Sequence, residues 1–287
     1  MGEEGRACSL PRKNCEYAKQ EYWEERFASE KHYEWLESPE SLLPLLLPLL
    51  DPSSVILTVG CGNSELSDAL VAHGFPFIFN LDFSPTVLHT KHQRERQAIS
   101  KYQCSSSPPA SSPPPGSSLS SSSSSASRPP VMEYLCADMT HLDFLRPNSF
   151  DVVIDKAAMD ALMTEEGSAW EPRLAVRQAA DRYLAGVSRC LNPGLFVQIT
   201  FQQPHFRRRY MLNRFSLNLN DESTRAEDGR LTPREWISAK TRNFPSQSLP
   251  DRWHISEAYG WSFFHTDIEK DTPGCFSNFL FLAQKDD

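Results

Sequence analysis

The stretch Val55-Ile-Leu-Thr-Val-Gly60-Cys-Gly62-Asn-Ser-Glu65-Leu66 decides the fold of this chain. Its first five residues, apolar or β-branched, predict a buried strand, its two glycines predict a tight turn, and the polar residues after them predict a helix start. A strand that passes through a glycine turn into a helix allows the backbone to approach a nucleotide-like ligand closely. The sequence therefore predicts a ligand site at this turn.

Glu65 stands where a dinucleotide-binding fingerprint has its third glycine. That glycine would let the helix pack closely and leave its positive end free for a pyrophosphate. A carboxylate there repels a pyrophosphate, whereas S-adenosyl-L-methionine carries an adenosine and a cationic sulfonium but no phosphate. We therefore expect S-adenosyl-L-methionine as the cofactor, and we disfavour an NAD-dependent oxidoreductase.

The composition indicates an acidic chain with one sizeable core. It has 287 residues, a formal net charge of −8 and a sequence pI near 5.5. This balance argues against a nucleic-acid backbone as the main partner and favours a basic protein. The N-terminus lacks the apolar core of a signal peptide, and the apolar run 42–50 is too short to span a membrane. We expect a single cytoplasmic domain over residues 1–287.

Cysteine and histidine spacing indicates no metal. The seven cysteines are odd in number and lack paired-ligand spacing, so the sequence predicts neither a disulfide framework nor a zinc site. His89 and His92 lie three residues apart in a predicted helix without a third ligand. We assign no metal site.

Two stretches are predicted to be insertions. Residues 105–130 contain 14 Ser and 7 Pro, a composition that cannot bury enough apolar surface to offset its ordering entropy. We expect a disordered surface loop there, in preference to an interdomain linker, because regular patterns resume on both sides. The polar residues 212–250 form a second expected insertion, near the substrate edge, with one short helix from Thr232-Pro233.

Outside these insertions, strand and helix patterns alternate, which is typical of a parallel sheet covered by helices on both faces. Two apolar runs near the end, Trp261–Ile268 and Phe276–Leu282, are joined through a Pro-Gly turn and predict a hairpin. The expected fold is α/β, a seven-stranded doubly wound sheet, mostly parallel with a C-terminal antiparallel hairpin. This is the Rossmann-like architecture of class I methyltransferases. The five parallel strands are expected at 55–59, 77–81, 133–136, 150–154 and 195–200.

Glycines and acids fall at the carboxyl ends of the first four predicted strands, where open α/β sheets bind their ligands. A single loop aspartate is more often a solvated carboxylate, but several in register favour a site. Gly60 and Gly62 would admit the ligand, Asp82 would accept both ribose hydroxyls, Asp138 and Met139 would flank the adenine, and Asp155 closes the fourth strand.

Further motifs resemble the methyltransferase-like 13 group, which includes the elongation factor 1A lysine methyltransferases. The resemblance covers most of the chain outside the two insertions. It rests on Tyr22-Trp23-Glu-Glu-Arg26-Phe27, Tyr33-Glu-Trp35, Val59-Gly-Cys-Gly-Asn-Ser64, Asp155-Lys-Ala-Ala-Met-Asp160-Ala-Leu162, Pro204-His-Phe-Arg207 and Tyr259-Gly-Trp261.

The resemblance implies a protein-lysine N-methyltransferase, with elongation factor 1A as the expected partner. Aromatic faces would also attract the sulfonium, although Trp23 and Trp35 suit a core-capping role equally well. By matching positions, the resemblance implies cofactor contacts from Trp23, Phe27, Trp35, Gly60, Asp82, Phe83, Asp138, Met139 and Lys156.

Methyl transfer to lysine needs a neutral amine in line with the donor methyl group. Repulsion by the sulfonium in a dry channel lowers the lysine pKa, so positioning can suffice without a dedicated base. We expect Asp155 to orient the amine and Tyr259 and Trp261 to wall the channel, with strand-end packing an equal alternative for the two aromatics. The sequence leaves open another protein or a small molecule as substrate, a non-catalytic cofactor-binding scaffold, and the oligomeric state.

Overall fold

The computed structural model describes residues 10–105, 132–215, 231–242, 244–245, 249–269 and 277–285. Most of the predicted Ser/Pro-rich insertion lies outside these residues. Their centre is one eight-stranded sheet. Its strands are β1 (Val55–Val59), β2 (Phe77–Asp82), β3 (Glu133–Cys136), β4 (Phe150–Lys156), β5 (Leu191–Thr200), β6 (His254–Ser256), β7 (Trp261–Ile268) and β8 (Asn278–Lys285).

Helices connect and cover the strands. Short 3₁₀ turns occur at Asn14–Ala18 and Leu47–Leu49. In the described part of the chain, no helix is both long and apolar enough to cross a membrane. The α-helices are α1 (Gln20–Ser29), α2 (Pro39–Leu46), α3 (Leu66–Ala72), α4 (Pro85–Ser105), α5 (Ala158–Met163), α6 (Leu174–Cys190), α7 (Pro204–Met211) and α8 (Pro233–Lys240).

The sheet confirms the doubly wound α/β prediction. Its strand order is β3-β2-β1-β4-β5-β8-β7-β6, with parallel pairing from β3 through β5 and antiparallel pairing beyond β5. β1 has β2 on one side and β4 on the other, so the chain reverses its direction of winding at β1. A crevice opens at such a switch point, at the carboxyl ends of the strands.

The strand count differs from the predicted seven because of β6. This three-residue strand pairs antiparallel with β7 at the edge of the sheet. Three residues are too few to show the alternation that marks a strand in sequence. The predicted C-terminal pairing is confirmed, with Trp261 opposite Lys285 and Ile268 opposite Asn278. The predicted turn at 271–274 lies outside the described residues.

Several boundaries also differ from the sequence expectations. The helix predicted to start after the glycine turn begins at Leu66. Asn192-Pro193-Gly194 is typical of a helix end, but these residues lie inside β5, where the register with β4 shifts between Phe150 and Val152. A bulge absorbs the extra residues, and Gly194 fits because a Cβ there would lie 2.2 Å from the Asp151 carbonyl oxygen.

The core forms on both faces of the sheet because successive strand residues alternate between faces. Val152, Ile154, Leu280 and Leu282 pack with α2 and α3 on one face. On the other face, Val153, Phe196 and Phe281 pack with α5 and α6. The sheet interior is therefore mainly apolar on both faces, although it also buries polar side chains such as Thr58 and Asn80, which hydrogen-bond to each other (3.0 Å).

The predicted short helix near 232 is α8. Thr232 accepts from the Glu235 N–H, and the Glu235 carboxylate accepts from the Thr232 N–H, which forms a capping box. Ile237 on this helix is buried, and the Trp236 ring packs edge-on against Trp253. These residues of the predicted polar insertion therefore contribute to the core.

Because β8 lies inside the sheet, its side chains should carry much of the folding free energy. Phe281 is fully buried, whereas Phe77 at the start of β2 is 52% exposed. We expect Phe281→Ala to lower the free energy of unfolding by about 3–5 kcal/mol. The matched Phe77→Ala should cost about 1 kcal/mol or less. Urea unfolding measures both, and equal losses would contradict the central position of β8.

Candidate functional site

A cavity of about 850 Å³ lies at the carboxyl ends of β1 to β4. The opposite wall is formed by residues 14–37, which we call the cap. The cavity is lined by Val59, Leu81, Cys136 and Ile154 from the strand ends, and by aromatic residues from the cap. It thus occupies the crevice that the sheet topology predicts.

The structure brings most of the predicted cofactor residues to this cavity and leaves three predicted site residues away from it. Asp155, Tyr259 and Trp261 do not line it. The residues that do are Trp23, Phe27, Trp35, Gly60, Gly62, Asp82, Phe83, Asp138, Met139 and Lys156.

The glycine turn after β1 forms the floor of the cavity. Gly60 and Gly62 both adopt positive φ angles, +57° and +50°, which favour glycine. A Cβ on Gly60 would lie 2.4 Å from the Cβ of Ala158 in α5, and a Cβ on Gly62 would lie 3.6 Å from the Phe27 ring. Bare backbone is therefore required at Gly60 for α5 to pack against the turn.

The carboxylate of Asp82 fixes this turn to the end of β2. Its Oδ2 accepts from the Gly62 N–H (2.9 Å) and its Oδ1 from the Ser84 N–H (2.9 Å). Burial raises the pKa of Asp82 to about 6, although both N–H donors favour the charged form. Asp138 is more exposed, and its Oδ1 accepts from the Thr140 N–H and hydroxyl.

Aromatic rings form the cap side of the cavity. Trp23 stacks on Phe27 at 5.4 Å and meets Trp35 edge-on at 5.8 Å. The Arg26 guanidinium lies 4.7 Å from the Trp35 ring centroid and pairs with Glu30 at 2.7 Å. The indole N–H of Trp23 donates to the Tyr17 carbonyl (2.7 Å). The rings are therefore held in place by one another and by a buried ion pair.

Glu34 joins the cap to the body of the protein, a role that sequence reasoning missed. Its carboxylate accepts from the Ser64 hydroxyl (2.8 Å), the Glu65 N–H (2.6 Å) and the Lys156 ammonium (2.7 Å). The signal was present in the sequence, since Glu34 lies between the two aromatic residues of Tyr33-Glu-Trp35. The sequence alone gave no partner for it.

The carboxylate that binds the start of α3 is that of Glu34, not that of Glu65. The side chain of Glu65 is 55% exposed and lies 3.4 Å from His32, and it does not line the cavity. Glu34 instead accepts a hydrogen bond from the N–H of Glu65 at the start of α3. The helix end that would receive a pyrophosphate is therefore already bound to a carboxylate, which preserves the conclusion against NAD for a different physical reason.

Lys156 lines the cavity, but its ammonium is bound to residues of the cap. Besides pairing with Glu34, it donates to the Trp35 carbonyl (2.9 Å). Burial lowers the pKa of Lys156, while the Glu34 carboxylate opposes that shift. The part of Lys156 that remains for contact with a ligand is thus the aliphatic part of its side chain.

Asp155 is fully buried beneath the cavity. Its carboxylate accepts from the Ala158 N–H (2.9 Å), the Tyr183 hydroxyl (2.9 Å) and the Gln198 amide (3.1 Å). Burial raises the pKa of Asp155, against these hydrogen bonds. Its position fits a residue that orients α5 rather than one that contacts an amine directly.

Tyr259 and Trp261 pack in the core beside β5. The Tyr259 hydroxyl donates to Asp181 (3.0 Å), the Trp261 indole donates to the Met211 carbonyl (3.2 Å), and Trp261 stacks on Phe196. Neither ring reaches the cavity. Their assignment to the channel wall stays a prediction that their position does not support.

Asp160 and Phe201 are cavity residues that the sequence analysis did not single out. Asp160 pairs with the fully buried Arg207 and accepts from the Thr200 hydroxyl (2.5 Å). Within the described ranges, no group of three or more His, Cys, Asp or Glu side chains could hold a metal ion. The thiols at the cavity are poor nucleophiles, because burial raises the pKa of both Cys61 and Cys136.

Two cavity residues each have a buried polar atom with no hydrogen-bond partner among the described residues. These atoms are the indole Nε1 of Trp35 and the side-chain Oδ1 of Asn63. An unpaired buried donor or acceptor costs free energy, but both atoms have less than 1 Å² of accessible surface, so a ligand in the cavity reaches them only if the surrounding side chains move.

No family model matches the chain. EEF1A lysine methyltransferase 4 of Mus musculus is 32% identical over 215 residues, covering 73% of this chain and 72% of that protein. The chain belongs to the eEF1A lysine methyltransferase family. The Bos taurus eEF1A lysine and N-terminal methyltransferase is 33% identical over 200 residues, covering 68% of this chain but 23% of that much longer protein.

Membership of the eEF1A lysine methyltransferase family confirms the resemblance predicted from the motifs. Among solved structures, the N-methyltransferase NodS from Bradyrhizobium japonicum, in complex with S-adenosyl-L-homocysteine, is similar with 13% identity and a TM-score of 0.47 over 93% of this chain and 98% of that one. That likeness is too loose to bear on function.

The Glu34 contacts predict that cofactor affinity depends on the cap. We expect Glu34→Ala to weaken binding of S-adenosylhomocysteine at least about tenfold, because it leaves the buried Lys156 ammonium without its carboxylate. The matched Glu21→Ala removes an exposed acid from α1 and should leave affinity unchanged. Calorimetry at a temperature where both variants are folded makes the comparison, and equal affinities would contradict the role of Glu34.

The raised pKa of Asp82 predicts a pH dependence of ligand binding. Hydroxyl donors prefer the carboxylate, so affinity for S-adenosylhomocysteine should fall about tenfold between about pH 7.5 and about pH 5, as protonation passes through a pKa of about 6. Because the pKa of Asp82 is higher in the folded than in the unfolded protein, protonating this group does not lower the free energy of unfolding. The expected loss of affinity is therefore not caused by unfolding. Asp82→Asn should bind weakly at both pH values, and an unchanged slope in that variant would contradict the assignment.

Proposed function

We propose that this protein is an S-adenosylmethionine-dependent protein-lysine N-methyltransferase whose substrate is elongation factor 1A. The observation that carries the proposal is an aromatic-capped cavity at the switch point of the sheet, in a chain 32% identical to an EEF1A lysine methyltransferase 4. The substrate is supported by the names of the relatives. A cytoplasmic location stays a prediction from the sequence.

The residues at the cavity fit this cofactor. Asp82 supplies carboxylate oxygens for ribose hydroxyls, and Trp23, Phe27 and Trp35 supply aromatic faces that attract a cation. When bound, the cofactor supplies an electrophilic methyl group on a sulfonium.

The chain's own residues position the acceptor amine. The buried carboxylate of Asp155 holds the start of α5 through the Ala158 and Met159 N–H groups. That helix carries Asp160 into the cavity wall. Apolar walls such as Leu162 and Phe201 disfavour an ammonium over a neutral amine, which is the form that accepts a methyl group. Asp155 therefore acts as a positioning residue.

Three other functions have less support. An NAD-dependent enzyme would need a free helix end for the pyrophosphate, and Glu34 occupies it. A non-catalytic cofactor-binding scaffold would keep the same cavity, and the names of the relatives, which are methyltransferases, favour an enzyme over it. A methyltransferase for another protein or a small molecule shares every cofactor contact and differs only in the acceptor, and the names of the relatives favour elongation factor 1A.

The proposal predicts that label from methyl-labelled S-adenosylmethionine is transferred to a lysine of purified elongation factor 1A. Gly60→Arg should abolish the transfer, because even a Cβ at this position meets Ala158 at 2.4 Å. Gly74→Arg is the matched control, since Gly74 also has a positive φ but no atom within 4 Å of an added Cβ. Mass spectrometry locates the modified residue.

Transfer to a different protein, or to none, would overturn the proposed substrate. Equal activity in the Gly60 and Gly74 variants would overturn the proposed cofactor site.

A further inference from the structure

Four aromatic side chains form a partly exposed surface beside the cavity. We call Trp170, Phe201, His205 and Phe206 the rim patch. Trp170 is 65% exposed and Phe201 is 57% exposed. The Trp170 ring lies 4.9 Å from Phe206 and 5.9 Å from His205. A clustered tryptophan left this exposed is typical of a binding surface.

The backbone that presents Trp170 is fixed. Arg209 is buried, and its Nη1 donates to the carbonyls of Ala169 (3.0 Å) and Trp170 (2.8 Å). In the same loop, the Glu166 carboxylate accepts from the Tyr210 hydroxyl (2.8 Å). A partner would therefore meet an ordered surface and would spend little free energy on arranging it.

Phe201 connects the rim patch to the cavity. It lies in the loop between β5 and α7, and its neighbour Gln202 donates to Glu166 (3.3 Å) in the loop that carries Trp170. Phe201 lines the cavity and is exposed at the same time, so it stands at the opening. Its backbone N–H donates to Asp160 Oδ2 (3.2 Å), so the Asp160 carboxylate lies next to the Phe201 backbone. Because Phe201 is 57% exposed and Asp160 is buried, the order from solvent inward is Phe201, then Asp160.

This order matches a protein segment that presents a lysine. The aromatic surface suits flanking residues and the aliphatic lysine stem, and Asp160 offers an oxygen to the amine. The run Arg207 to Arg209 resembles the cations that accompany stacked bases in nucleic-acid sites. However, Arg207 is buried against Asp160 and Arg209 is bound to loop carbonyls, so two of the three arginines are engaged within the protein, whereas binding a phosphate backbone needs several available cations.

We propose that the rim patch docks the segment of the protein substrate that carries the acceptor lysine and directs that lysine past Phe201 toward Asp160. The inference rests on the proposed function and names the surface through which the enzyme selects its protein substrate.

Steady-state methylation of elongation factor 1A tests this surface with Trp170→Ala. Because Trp170 lies outside the cavity, we expect KM for the protein substrate to rise at least tenfold, with kcat, the affinity for S-adenosylhomocysteine and the melting temperature unchanged. Phe144→Ala is the matched control, since Phe144 is 55% exposed but does not line the cavity. It should leave KM unchanged.

If the wild type is active and the KM of Trp170→Ala lies within twofold of the wild-type KM, the docking surface alone is overturned. A wild type that binds S-adenosylhomocysteine but transfers no methyl group to elongation factor 1A would overturn the proposed function and this inference together. Inhibition by mixed-sequence single-stranded RNA that disappears in Trp170→Ala would assign the patch to RNA and overturn docking of protein.

Discussion

The architecture of the site depends on the contacts of the Glu34 carboxylate. This carboxylate binds the loop after β1, the start of α3 and the Lys156 ammonium at the end of β4. These elements lie on the two sides of the switch point in the sheet, so one side chain spans the crevice and fixes the cap above it. The Glu34 side chain is 12% exposed, and its carboxylate is stable in this position because it accepts from three donors, one of which is a cation.

Pairing of this kind also sets the charge of the cavity. Lys156 is neutralised by Glu34, and Asp160 is paired with Arg207. In the part of the chain that the structure describes, Asp82 accepts from two backbone N–H groups and forms no ion pair, so no cation in direct contact neutralises its negative charge. The cavity consequently combines carboxylate oxygens near the glycine turn with aromatic faces from the cap, a combination suited to an uncharged sugar next to a positive sulfur.

Much of this arrangement could be predicted from the sequence because it depends on local patterns. Strand periodicity and the Gly60 turn located the crevice, and family motifs located Trp23, Trp35 and Asp82. The contacts that remained hidden join distant parts of the chain. Glu34 meets Lys156 across 122 positions, and Asp160 meets Arg207 across 47. Asp155 was placed correctly at a strand end, but its burial depends on Tyr183 and Gln198, which no local pattern connects to it.

A crystal structure with S-adenosylhomocysteine would test the central claim most directly, namely that the space between the cap and the strand ends is the cofactor site. We expect the ribose beside Asp82, the sulfur directed toward Asp160, and the contact between Glu34 and Lys156 preserved. Ligand bound outside this cavity, or bound only after the cap has left the strand ends, would contradict it.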